Sequence, residues 1–473
     1  MAKRKTSGAG RRRAGNRRSG GHQRRATVRR SPQDNVRVSA AWVVERTLDS
    51  RAPVETFLAP VMVRFDERDL ALLQELVYGT LRWLRRLDDV ITRAASRGLD
   101  AIEKPLWAPL RIAAYQLLFL DRVPAHAAVH EAVEQAHQLT HRGAASFVNA
   151  VLRRIARASR LEDWPVEIKD PARRLAVEWS HPDLLAQRWL QRFGESGARD
   201  LMRNNNRHRP LQLLAFRHRG GREVVAEELI EAGLDVEPSQ WAPLGLTVRR
   251  GNPLTTECFR HGRIYIQDEI SQLSALLPPP RAGERVLDAA AAPGGKSLAL
   301  YAWEPEVQLT LADLSASRLG RLRENLQRLD LDLPLTVADA GAPPWAAPFD
   351  RVILDLPCSG TGTLRKNPEL KWRLSGSEIG RMSSTSRRLL KGSAPLVAPG
   401  GLLVAITCSV EVEENEEVVN AFLADLGKDF RPAPLADWLA PPAARGVVAP
   451  GLWRVLPEDD HDGFTVHVME RFR

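Results

Sequence analysis

Cysteine is the scarcest residue in this chain: among 473 residues only Cys258, Cys358 and Cys408 occur. An odd, sparse set without an export signal argues against a disulfide framework and for a reducing, cytoplasmic setting. Paired CxxC spacing is absent, so no zinc site is expected and no metal is assigned. No run of about 18 apolar residues occurs, so no membrane span is expected. The opening MAKRKTSGAG lacks the apolar stretch of a signal peptide, and its Gly-rich spacing denies it the amphipathic face of a transit peptide. Acid is missing where base is abundant. Residues 1–30 hold twelve Lys or Arg and no Asp or Glu, so the net charge of +10 belongs to the start of the chain. Without that stretch 56 basic residues face 58 acidic ones, a nearly neutral body. Residues 1–34 read as a disordered basic tail that cannot bury apolar surface. Such a tail suits sequence-blind contact with phosphates through counterion release, or serves only solubility.

What is present points to several domains. Hydrophobic content of 44% suffices for cores, and the length suggests roughly two to four domains. Apolar residues recur at helical spacing through residues 35–160, as in LALLQELVYGTLRWLRRLDDVI, HAAVHEAVEQAHQL and ASFVNAVLRRIAR, which predicts an all-α bundle. Residues 161–275 mix helix (HPDLLAQRWLQRF, REVVAEELIEAG) with strand (RPLQLLAFRHR, RIYIQDEI), as a small α+β domain does. The triple proline at 278–280 marks a boundary. Residues 276–473 alternate strand and helix, which predicts a parallel, doubly wound, Rossmann-like α/β sheet with ligands beyond its carboxyl ends.

The motifs gather at those ends. The first strand, RVLDAA, ends at Asp288 and leads into Ala290-Ala291-Ala292-Pro293-Gly294-Gly295-Lys296. Small residues there let backbone approach a ligand, and the following helix offers free N–H groups. Asp313 ends the second strand, where a carboxylate can accept from ribose hydroxyls. Asp339, after the third strand, is placed to reach the adenine side of the same ligand. The dinucleotide fingerprint GxGxxG is absent. A P-loop is missed by one residue, because Ala290 stands where its first Gly belongs, and Pro293 removes a phosphate-cradling N–H. The bland alternative is a Gly turn that only packs helix on strand.

Two of the three cysteines also lie at strand ends. Cys358 follows the fourth strand in Asp355-Leu356-Pro357-Cys358-Ser359-Gly360, and Cys408 follows the fifth in Thr407-Cys408-Ser409. Adjacent strands would bring both thiols to one rim beside the cofactor turn. A lone buried cysteine is usually inert packing, and Cys258, which fits no motif, is read that way.

These residues resemble a known family. AAPGGK at 291–296, DLPCSGTGTLRKNPELKW at 355–372 and TCSVEVEENE at 407–416 are similar to the catalytic part of the NusB-domain-bearing 16S ribosomal RNA cytosine-C5 methyltransferases, the Sun or RsmB family. QDEISQL at 267–273 and DGF at 462–464 also look like that family. LQELVYGTLR, HEAVEQA and FVNAVLRR resemble its NusB-like helical domain. The resemblance covers about residues 35–473. It implies an S-adenosylmethionine-dependent methyltransferase acting on 16S rRNA or an early small-subunit particle, expected to be a monomer.

The resemblance further implies that Cys408 is the nucleophile, that Cys358 helps release the product, and that residues 290–296, Asp313, Asp339 and Asp355 bind or face the cofactor. A thiol answers a chemical need. Carbon 5 of cytosine is a poor nucleophile until a thiolate adds to carbon 6. Asp355 can share a proton with ring nitrogen 3 during that addition. The family often has Cys at Ala290, Ala at Leu356, Gln at Ser386, and Ser or Ala at Ile406; none of these departures removes a reacting group. A related methyltransferase acting on tRNA and a non-catalytic RNA-binding assembly factor are the alternatives.

Weaker signals remain. His126, His130, His137 and His141 lie near one helical face and read as a solvated or RNA-facing surface rather than a metal site. Trp303 and Trp372 read as core, with base stacking as the alternative. Glu413, Glu414, Glu416 and Glu417 read as the acidic first turn of a helix, and Asn415 is placed to orient the Cys408 loop.

Overall fold

The structure is a computed structural model that describes residues 35–50 and 52–473. The basic tail expected at 1–34 lies outside the described residues.

The helical part comprises α1 (Val36–Asp49), α2 (Glu55–Met62), α3 (Glu67–Ala95), α4 (Trp107–Phe119), α5 (Ala125–Leu139) and α6 (Arg142–Arg157). Asn35 caps α1 by accepting from the Arg37 and Val38 N–H groups, and Asp66 caps α3 by accepting from Asp69 N. The apolar stripes read from the sequence close on one core that includes Val44, Leu73, Leu76, Val77, Leu87 and Leu152. Arg111 grips both oxygens of Asp88, at 2.7 and 2.8 Å, tying α4 to α3.

The middle part begins with α7 (Pro171–Glu178) and α8 (Asp183–Asn205). Gly194, at φ 69°, kinks α8 between its two halves, a backbone angle suited to glycine. Next come β1 (Leu211–Ala215), α9 (Gly221–Glu231), β2 (Asp235–Pro238), β3 (Gly245–Arg250), α10 (Glu257–Arg260), β4 (Ile264–Ile266) and α11 (Glu269–Ala275). The four strands form an antiparallel sheet in the order β2-β3-β1-β4. Val225 and Leu229 of α9 pack on Leu213 and Leu246 of that sheet.

The last part holds β5 (Arg285–Asp288), α12 (Gly295–Trp303), β6 (Gln308–Asp313), α13 (Ala316–Arg328), β7 (Leu335–Val337), β8 (Phe349–Asp355), α14 (Gly376–Ser393) and β9 (Val397–Thr407). It ends with α15 (Glu416–Leu426), β10 (Phe430–Pro432), α16 (Leu435–Trp438), β11 (Val447–Ala449), β12 (Leu452–Val455) and β13 (Phe464–Arg471). The strand order is β11-β12-β13-β9-β8-β5-β6-β7, with β10 against β13. Five strands, β9-β8-β5-β6-β7, run parallel as expected. The expectation of a wholly parallel sheet is corrected by β13, which pairs antiparallel with β9 and carries β10 and β12 on antiparallel ladders. The sheet is therefore mixed. The order reverses between β5 and β8, and the loops after β5, β6, β8 and β9 open at that switch point, where such sheets bind ligands.

One packing relation crosses these parts. Trp189, Leu185 and Met202 of α8 share a buried cluster with Leu364 and Val410, which lie in the loops after β8 and β9.

Candidate active site

The turn after β5 is built from inside. Asp288 is fully buried and accepts from Ser297 Oγ and from Ala290 N. Burial, reinforced by nearby Asp355, pushes its carboxyl up to about 6, against the hydrogen bond from Ser297. Ala291 N donates to Ala312 O at 2.8 Å, joining the turn to β6. Gly294 has φ 114°, and a Cβ there would meet Leu322 Cδ1 at 2.6 Å. Ala290 to Gly295 thus form a close turn of backbone in front of β5 and β6. Asp313, at the end of β6, is buried. Its Oδ1 accepts from Ser315 N and pairs with Arg318, both at 2.8 Å, while its Oδ2 is buried without a partner. A free acceptor beside that turn fits the ribose hydroxyls of a nucleoside-containing cofactor. Asp339 stands farther along the rim, with Oδ1 on Gly341 N and Oδ2 on Arg388, both 2.8 Å; the Arg388 contact, then Gly341, hold it below the usual carboxylate range.

Lys296 was expected among the cofactor-binding residues, and the structure adds a partner that its position in the turn did not suggest. Its side chain runs inward, with Nζ 3.0 Å from Asp355 Oδ2 and 3.3 Å from Ser271 Oγ, above the Phe464 ring. Burial alone would push its ammonium down. Asp355, Cys408 and Asp288 outweigh that and hold it above its usual value. The Lys296–Asp355 pair therefore links the turn after β5 to the end of β8.

The two motif cysteines meet. Asp355 pairs in register with Ile406, and Leu356 N continues the ladder onto Ile406 O at 2.8 Å. Cys358 and Cys408 follow directly, with Sγ atoms 3.5 Å apart and both residues partly exposed. Gly362 N donates to Cys408 O at 2.9 Å, and a Cβ on Gly362 would lie 2.2 Å from Gly463 O, so the approach requires glycine. Cys408 is lowered by the hydrogen bond from Cys358 and further by Lys296 and Thr363, against burial and Asp355. Cys358 is raised by Cys408, by burial and by Glu414. The pair is thus polarised: Cys358 holds its proton more tightly and Cys408 gives its own up more readily than an ordinary thiol.

Under the sulfurs lies a buried polar network. Ser359 donates to Glu414 from its N–H at 2.8 Å and from its hydroxyl at 2.6 Å. Ser359 Oγ and Thr361 Oγ1 each sit 3.2 Å from Ser409 Oγ. Asn415 accepts from Thr407 Oγ1 at 2.6 Å and donates to the Ser409 and Glu411 carbonyls, so it does orient the Cys408 loop. Glu416 and Glu417 do form the acidic first turn of α15, whereas Glu413 and Glu414 lie in the turn before it; Glu414 faces Ser359, Glu413 binds Arg188, and Glu416 binds Arg192 and Arg454. Sequence reasoning also passed over Thr363, Ser271 and Phe464. All three lie in stretches already singled out by resemblance: Thr363 in DLPCSGTGTLRKNPELKW, Ser271 in QDEISQL and Phe464 in DGF.

Elsewhere, Trp372 donates to Leu81 O at 2.7 Å and the Trp303 ring lies under Arg217, so both are engaged within the chain. His141 caps α6, and His126 and His130 line a cleft of about 460 Å³ with Arg153 and Arg157. Among the described residues no helix is long and apolar enough to cross a membrane, and no cluster of three or more His, Cys, Asp or Glu is arranged to hold a metal ion.

Fold and comparison together define a methyltransferase with a helical N-terminal part and a ferredoxin-like middle part. Residues 275–467 match the family described as 16S rRNA methyltransferase RsmB/F, residues 35–157 match the NusB family, and residues 181–255 match the ferredoxin-like domain of RsmF/B-like methyltransferases. Ribosomal RNA small subunit methyltransferase B of Pseudomonas putida is 36% identical over 444 residues, covering 91% of this chain and 97% of that protein. The Vibrio cholerae protein of the same name is 33% identical over 399 residues, covering 82% and 89%. Among solved structures, the crystal structure of PH0851 superposes with a TM-score of 0.74 at 27% identity, covering 92% of this chain and 99% of that one. The chain belongs to the RsmB/F methyltransferase family, in its NusB-bearing form.

Proposed function

We propose that this protein methylates carbon 5 of a cytosine in 16S ribosomal RNA, using S-adenosylmethionine and a transient bond from Cys408 to carbon 6. The observation that carries the reading is the 3.5 Å approach of Cys358 and Cys408 at the ends of adjacent strands, beside the Lys296–Asp355 pair. The names of the relatives support the ribosomal substrate.

The residues present fit the cofactor. The backbone of 290–295 and the unpaired Asp313 oxygen would hold its nucleoside, with Asp339 toward the base. When bound, it supplies an electrophilic methyl group. Cys408, which its neighbours make easier to ionise, adds as thiolate to carbon 6 and makes carbon 5 nucleophilic. Asp355, steadied by Lys296, meets the nitrogen 3 edge as the ring is polarised. Loss of the carbon 5 proton to solvent then breaks the carbon 6–sulfur bond and expels Cys408 as thiolate, and Cys358, which keeps its own proton, stabilises that departing sulfur by donating to it. A base inside a duplex is out of reach, so the target is single-stranded or flipped out. Residues 35–160 and 161–275 would supply most of the grip on RNA, ahead of a catalytic part at 276–473.

Incubating purified protein with unmodified small-subunit RNA, free or in an early particle, and mapping the product by sequencing tests the reading. Methyl groups at carbon 5 of one 16S cytosine are expected. Methylation of tRNA alone, or RNA binding without transfer, would overturn it in favour of the two alternatives.

A further inference from the structure

The loop that carries Cys408 is held from two sides. From within the catalytic part, Thr361 accepts from Val410 N at 3.0 Å, and Asn415 ties Ser409 to Glu411. From the other side comes α8, a helix of the middle part. Glu411 is buried, 3% exposed, and both its carboxylate oxygens end on that helix. Trp189 Nε1 donates to Oε1 at 3.0 Å, from 222 residues earlier in the sequence, and Arg188 Nε donates to Oε2 at 2.6 Å. Arg188 also binds Glu413, and Arg192 binds the Val410 carbonyl and Glu416.

Packing repeats the pattern. Val410, two residues past Cys408, and Leu364, six past Cys358, are buried in the α7–α8 core around Trp189 rather than in the cores of the large sheet. The apolar anchor of each cysteine loop therefore belongs to the middle part. The path to sulfur is short. Glu411 N donates to Ser409 Oγ at 3.0 Å, and Ser409 follows Cys408 and touches Ser359, the residue after Cys358.

We propose that α8 is a positioning element of the active site, and that Trp189, with Arg188 and Arg192 beside it, sets the place and reactivity of Cys408. This rests on Cys408 being the nucleophile. Without the indole N–H, Glu411 loses a buried donor, and the loop it anchors relaxes toward other partners. A displacement of Cys408 by a fraction of an ångström weakens the contact with Cys358 that favours its thiolate. None of the α8 side chains touches the reacting atoms; they act through the loop.

The test uses the full chain with Trp189→Phe, which keeps an aromatic ring in the cluster but loses part of the indole along with its donor, and with Glu411→Gln, which leaves that packing in place. Single-turnover methyl transfer to small-subunit RNA should fall about tenfold, as expected for one unpaired buried acceptor, while KM for RNA stays within about twofold. In RNA-free protein, the pH midpoint for iodoacetamide alkylation of Cys408 should move upward and that of Cys258 should stay in place. Glu411→Gln should shift the same two readouts in the same direction, and the double variant should be no worse than the poorer single one, because both act on one path. If Trp189→Phe does not unfold cooperatively, Glu411→Gln decides. Wild-type transfer and alkylation in these variants, or slower transfer with an unmoved Cys408 midpoint, would overturn the proposal. Absence of any transfer by the wild-type protein would instead remove the functional reading, while the alkylation midpoints still judge the role of α8.

Discussion

Cys258 and Cys408 are the same residue in opposite surroundings. Cys258 sits on the short α10, 4% exposed, with its Sγ 3.1 Å from a single carboxylate, Glu228. Burial first, then Glu228, push its thiol up to about 11. Cys408 is partly exposed, and it faces the Cys358 thiol, the Thr363 hydroxyl and the nearby Lys296 charge. Cysteine burial alone thus says little about reactivity; what the sulfur faces decides it. An acceptor raises a thiol, and donors or a cation lower it.

The comparison can be broken most decisively by exchanging the roles of the two residues. Cys408→Ala should lower methyl transfer by about a thousandfold or more, measured as labelled methyl incorporated into RNA, whereas Cys258→Ala should leave it unchanged. Equal losses would place the distinction elsewhere. Next in size is Cys358→Ala. With Cys408 intact and its release partner gone, a protein–RNA adduct should appear as a slow band on a denaturing gel, and its absence would remove Cys358 from product release.

Alkylation sharpens the contrast without RNA. Near pH 7.5, Cys408 should react about a hundredfold faster than Cys258, in step with thiolate populations separated by about two pH units or more, as peptide mass spectrometry would show. The smallest effect concerns stability. The folded Cys258 thiol keeps its proton to about 11, whereas the ordinary thiol releases it near 9.0. Its contribution to stability is therefore complete below pH 9 and is lost as pH rises through 11. Glu228→Gln should draw the alkylation midpoint of Cys258 toward 9 and soften the alkaline loss in melting temperature, with no change in methyl transfer.

Much of this contrast was legible in the sequence, because the parallel half of the sheet places each motif at a strand end. Asp288, Asp313, Cys358 and Cys408 each follow a short apolar run, and strand adjacency brings the two thiols together. The antiparallel half was not legible. The strands β10, β11 and β12 have only three or four residues each, and β13 is buried on both faces through Phe464–Met469, so no alternation marks it. Lys296 shows what position in a motif leaves out: it lies in the cofactor turn, and its ammonium also pairs with Asp355 at the end of another strand. The partners of Glu411 and Glu413 lie more than two hundred residues upstream, where no local pattern could reveal them.

Lys371 carries one more lesson. Its ammonium is fully enclosed and ends on three neutral oxygens: Arg82 O and Ser180 O, each at 3.2 Å, and Asn206 Oδ1 at 2.6 Å. Those oxygens come from α3, from the turn ahead of α8, and from its far end. A fragment beginning near residue 276 would keep the lysine and lose the oxygens that enclose it, opening to water an amine that the full chain buries. The methyltransferase portion therefore shares a buried polar contact with both of its upstream companions, just behind the loop that carries Cys358.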